Sequence, residues 1–139
     1  MAAHPIHPAL VHFPLGLLLT ATLADLAWLA AAWPEPRFAA LLIALGLVAA
    51  LPAMAAGLYD FRLLDEKQAS HALRHMGAVA AAWLGYGVAL YLRRDTLIGG
   101  AEPSLASIAT GFGSAAVLGL GGWLGGELVY RYGAGRIVT

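Results

Sequence analysis

Five histidines carry most of the chemistry that this 139-residue sequence offers, and their spacing gathers them. His4, His7 and His12 precede or open the first long apolar run, and His71 and His75 open the third. His71 and His75 are four apart, so both imidazoles share one helix face, and His12 is expected to approach at similar depth from the first run. A bis-histidine b-type haem needs one axial imidazole from each of two facing helices, with small residues where the macrocycle meets the backbone. His12 and His75 are therefore the expected axial pair, with His7 and His71 as the alternative pair or as donors to the propionates. Gly16 lies one turn after His12, and Gly119, Gly121, Gly122, Gly125 and Gly126 clear side chains from the fourth run. The same glycines form small-xxx-small patterns that let helix backbones touch. Arg74 and Arg131 are candidate partners for the propionates at the membrane interface.

A zinc, copper or iron ion is the competing ligand, held by His4, His7 and His71 with Asp60 and Glu127 completing the sphere. His4-Pro-x-His7-Pro presents its imidazoles from a stiff extended segment, which suits metal capture at a surface. A cofactor-free reading also stands, because imidazoles at headgroup depth solvate helix ends and bond backbone carbonyls. Asp25 is the remaining polar residue of note. An ionised carboxylate near the middle of a membrane span costs several kcal/mol, so it implies either a proton path or a packing bond to Thr22, Ser107 or Thr110.

The elements that must position these groups are four apolar runs, each long enough to cross about 30 Å of hydrocarbon. They are expected at about 10–33, 37–59, 71–92 and 103–130 of a single transmembrane domain covering 1–139, an all-α four-helix bundle. The first stops at Pro34-Glu35-Pro36, because a proline pushes the residue before it out of the helical region. Pro52 inside the second is expected to kink it and to free the Val48 carbonyl. A polar loop from Asp60 to Ala69 leads to Ser70 as the N-cap of the third, and Gly99-Gly100 lies before the fourth. No repeat period is evident. The first span has histidines in place of the Lys or Arg of a secretory n-region, so it is expected to be retained.

With an even number of spans, all five histidines fall on one side, together with both termini, Asp60, Glu127 and Arg131. Most Trp and Tyr residues lie toward span ends as interface anchors; Trp83 and Tyr86 lie deeper, where either could pack on a macrocycle. Composition agrees with a membrane protein: 60% of residues are apolar, 12% are charged, and the mean hydropathy is +0.75. A net charge of zero leaves no basic surface for nucleic acid. With no cysteines there are no disulfides, thiolate metal sites or covalent haem attachments. No nucleophile elbow, Walker loop or metalloprotease helix signature occurs, so the chain has no catalytic motif of its own.

The opening His4-Pro5-Ile6-His7-Pro8-Ala9-Leu10-Val11-His12-Phe13-Pro14 resembles the hallmark of a bacterial family of small four-helix membrane proteins, domain-of-unknown-function family 2231. Asp25, Gly57-x-x-Asp60, His71-x-x-x-His75 and Gly122-Trp123-x-Gly125-Gly126-x-x-Val129-Tyr130 carry the resemblance along nearly the whole chain. It implies a multi-pass protein of the bacterial inner membrane. Some relatives are joined to Rieske-type or cytochrome-type domains, which implies a redox neighbourhood and, for this chain, a separate redox partner. The expected function is thus electron transfer through haem b, with metal binding or transport, or a structural role in a membrane complex, as alternatives. A homodimer is expected from the small-xxx-small faces. Arg62, Lys67, Arg74, Arg131 and Arg136 on the histidine side, against Arg37, Arg93 and Arg94 opposite, lean the termini toward the cytoplasm.

Overall fold

The computed structural model describes residues 6–134. Four long helices, α1 (Ile6–Ala31), α2 (Pro36–Phe61), α3 (Glu66–Leu92) and α5 (Leu105–Tyr130), carry the fold, with a short α4 (Arg94–Gly99) between the last two. All four are long and apolar enough to span a membrane. Their faces differ little in polarity because lipid replaces water as the outer solvent, and large apolar side chains such as Leu23, Val48, Leu84 and Leu120 point outward.

Local chemistry sets the ends. Pro36 opens α2 at a position where its missing N–H is not needed. Ser104 caps α5 by accepting from the Ser107 N–H at 3.2 Å. The N-cap of α3 is Asp65, not Ser70. Asp65 accepts from the Gln68 N–H at 2.9 Å while the Gln68 side chain accepts from the Asp65 N–H at 3.2 Å, a reciprocal box that starts the helix a turn and a half earlier than the apolar run alone suggests. The expected 93–102 loop contains α4, closed by Gly100 at φ 71°. Prolines 8 and 14 lie inside α1, which is continuous from Ile6. The Pro52 stretch of α2 is also continuous, and the neighbouring donors reach the carbonyls of Leu47 and Ala53 rather than that of Val48.

The helices form two tight antiparallel hairpins, α1 with α2 and α3 with α5, while the contacts between hairpins, α2 with α3 and α1 with α5, are sparse. Across the middle, α1 and α3 meet through side chains. Leu18, Ala21, Ile43 and Tyr86 form the buried core. Small residues dominate it, Ala39, Ala40, Ala53, Ala82 and Ala89 among them, because backbones packed in lipid gain from close approach and not from expelling water. The Tyr86 hydroxyl lies 2.8 Å from Thr22 Oγ1 and 3.2 Å from the Leu18 carbonyl, which also accepts from Thr22 at 3.1 Å.

Candidate functional site

His7 and His75 have the same surroundings in the two hairpins. His7, in the first turn of α1, has Nδ1 2.7 Å from the Ala53 carbonyl of α2. His75, on α3, has Nδ1 2.8 Å from the Gly121 carbonyl of α5. A carbonyl can only accept, so Nδ1 carries the proton in both rings and Nε2 is left with its lone pair. Each ring lies over a glycine one helical turn beyond its carbonyl. A Cβ on Gly57 would stand 2.9 Å from His7 Cε1, and one on Gly125 would stand 3.0 Å from His75 Cε1. Both glycines are recesses for imidazole. Gly125 therefore seats His75 itself, where sequence reasoning expected space for a macrocycle, and Gly121 packs on Val79.

His71 is bound differently. Its Nε2 lies 3.2 Å from the Leu124 carbonyl and 3.5 Å from Glu127, and its ring stacks on Tyr132 with centroids 4.7 Å apart. The nitrogen that His7 and His75 leave free is thus engaged in His71. Glu127 in turn pairs with Arg131 at 3.2 Å. His7 and His71 both lie within electrostatic range of His75.

The expected pair of His12 with His75 is not brought together. Five residues along a helix is a rotation of about 140°, so His12 faces away from His7 and is exposed on the outer surface of α1. Gly16 has open space where its side chain would be and lines nothing. Arg74 is exposed, and Arg131 is drawn to Glu127 and over the Tyr132 ring. The ion-site set also fails to gather: among the described residues no three or more His, Asp or Glu converge, although His71 and Glu127 meet. His4 lies outside the described residues. Trp83 and Tyr86 spend their polar atoms on the Leu47 and Leu18 carbonyls, tying α3 to α2 and α1.

At the opposite end of the bundle lies a group that sequence reasoning missed. Arg93 grips Asp25 with two bonds, Nη1 to Oδ1 and Nη2 to Oδ2, each 2.9 Å. Arg93 is 1% exposed and Asp25 3%. The partners expected for Asp25 bond elsewhere: Thr22 to Tyr86 and Leu18, Ser107 to Ser104, and Thr110 to Ala106. Arg93 read as a boundary charge because it adjoins Arg94 and Asp95. One signal was present: an ionisable residue inside a span needs a partner, and few cations lie at that depth. Asp25 is in the last two turns of α1, not near its middle.

Sequence comparison identifies the chain's class. A family model described as "Predicted membrane protein (DUF2231)" matches residues 3–137, and the chain belongs to that family. No curated protein and no solved structure matches it.

Proposed function

We propose that this is a small bis-histidine haem b protein of the bacterial inner membrane that passes electrons to or from a separate redox partner, with His7 and His75 as the axial ligands. The observation that carries this reading is the shared state of the two imidazoles. A ring whose Nδ1–H is held by a backbone carbonyl is fixed in orientation and tautomer, and its Nε2 is a ready ligand for iron. Haem iron supplies a one-electron couple when bound; the chain's residues supply ligand orientation and a low-dielectric surround. The fit is supported at the histidine end, where Leu10, Val11, Ala78 and Val79 are only half-buried, whereas the residues farther along the same faces are buried.

Arg131 and Arg74 are candidate partners for the propionates on that side. The termini are placed in the cytoplasm, a placement favoured by the burial of Arg93, which leaves Arg37 and Arg94 as the exposed basic residues opposite. A homodimer would use the open face of Gly122 and Gly126. The competing reading is a cofactor-free structural subunit, favoured by the same carbonyl bonds, which clasp the helices of each hairpin.

The deciding experiment is a reduced-minus-oxidised visible spectrum of detergent-purified protein expressed with ample haem. A b-type signal that disappears in His7→Ala and in His75→Ala and persists in His12→Ala supports the proposal. A featureless spectrum from folded protein, or a signal that survives loss of His7, overturns it.

A further inference from the structure

Two contacts across the bundle join residues 68 positions apart: Tyr86 with Leu18, and Arg93 with Asp25. The same offset relates His7 to His75, Ala53 to Gly121 and Gly57 to Gly125, the two imidazole seats. It relates buried Ala21 to Ala89, Ala40 to Ile108, and Gly46 to Ser114. It also relates Ala32 to Gly100, the turn residues with positive φ, at 51° and 71°. We infer that the chain is two copies of one hairpin unit, about 6–61 and 74–129, related by a two-fold axis along the bundle. Asp25 and Arg93 hold the two units in the register that sets His7 opposite His75.

Geometry supplies the reason. A residue that touches its own counterpart lies on the two-fold axis, so the axis runs between Leu18 and Tyr86 and between Asp25 and Arg93. Asp25 follows His7 by 18 residues, as Arg93 follows His75, and at 3.6 residues per turn that is five whole turns. Each histidine therefore faces the axis, about 27 Å from the ion pair along the helix. In the second unit the counterpart of α1 is broken at Arg93, whose backbone leaves the helical region between α3 and α4.

The absence of an evident repeat in the sequence has the same physical source. Small apolar residues replace one another freely on a packed helix face, so most positions differ between the units, whereas His7 and Gly57, which contact each other, keep their identity in the second unit. The oppositely charged position on the axis, Asp25 and Arg93, is the exception that matters. A unit facing an identical copy would bring Asp to Asp or Arg to Arg, whereas Asp25 against Arg93 satisfies both and selects the unlike partner. Asp25 and Arg93 are positioning residues. That the two imidazoles address one ligand from opposite faces rests on the haem reading; the two-fold does not.

The test uses full-length protein purified without added haem. The chain has no cysteine, so a cysteine pair reports proximity cleanly. A bifunctional maleimide should join Val11→Cys with Val79→Cys faster than Val11→Cys with Met76→Cys or Trp83→Cys. With Asp25→Asn that preference should disappear while the helix content persists. In parallel, Asp25→Arg and Arg93→Asp should each lose folded, monodisperse protein. The double exchange, which places each residue at its counterpart's position, should restore folded, monodisperse protein with a cooperative unfolding transition. Equal cross-linking of the three pairs, or a double exchange no better than the worse single variant, overturns the inference. If the cross-link and exchange succeed and the spectrum above is featureless, the two-fold stands and the haem reading fails.

Discussion

Adding one methyl group at each of four glycines tests the imidazole seats. At Gly57 and Gly125 the new Cβ falls 2.9 and 3.0 Å from the Cε1 of His7 and His75, about 0.4 to 0.5 Å inside ordinary contact. The rings have little room to retreat, because each Nδ1 is bonded to a carbonyl at 2.7 or 2.8 Å. Overpacking costs about 1–3 kcal/mol, and a stretched hydrogen bond adds up to about 1 kcal/mol. Against this stands a helix gain of about 1 kcal/mol for replacing glycine by alanine. The net expectation for Gly57→Ala and Gly125→Ala is a loss of up to about 3 kcal/mol. At Gly122 and Gly126 nothing lies within 4 Å, so Gly122→Ala and Gly126→Ala keep only the helix gain and are stabilised by up to about 1 kcal/mol. Thermal unfolding in detergent, followed by circular dichroism, reads the sign at a few °C per kcal/mol. Neighbours one residue apart on one helix, Gly125 and Gly126, should move Tm in opposite directions. If both alanines shift it alike, the imidazole is not seated as described.

Other expectations follow from single contacts. Asp25→Asn leaves the Arg93 charge buried and without its carboxylate, and should cost about 3–5 kcal/mol by equilibrium unfolding, more than Asp25→Leu combined with Arg93→Met. Tyr86→Phe removes one hydroxyl but leaves Thr22 bonded to the Leu18 carbonyl, so its cost should stay near 1 kcal/mol in the same assay. Asp65→Ala abolishes the reciprocal cap of α3 at an exposed site and should cost about 1 kcal/mol, with faster amide exchange confined to residues 66–69. In NMR spectra of histidine side chains, His7 and His75 should show the Nδ1–H tautomer and His71 the Nε2–H tautomer; identical tautomers in all three would refute the assignment.

Much of the architecture was legible in the residue order. Hydrocarbon thickness and helix rise demand about 20 apolar residues per span, and Pro36 and the charged clusters punctuate the chain by local chemistry, although the cap of α3 is Asp65 and not the Ser70 that the apolar run suggested. That His7, His12, His71 and His75 fall on one side of the bundle likewise follows from counting spans. Which face of a helix turns inward was not legible, because these helices are apolar all round and periodicity carries no signal when lipid takes the place of water. That is why His12 stood for His7, and why Gly16 looked like part of a site. Tertiary structure alone decided that the glycines at 57 and 125 accept imidazoles, that His7 and His75 share one tautomer, and that Asp25 finds its partner 68 residues away, at the break between α3 and α4. Sequence determines where each helix begins and ends through interactions within a few residues. The pairing of buried polar groups is set by the packing of faces that only the folded bundle brings together.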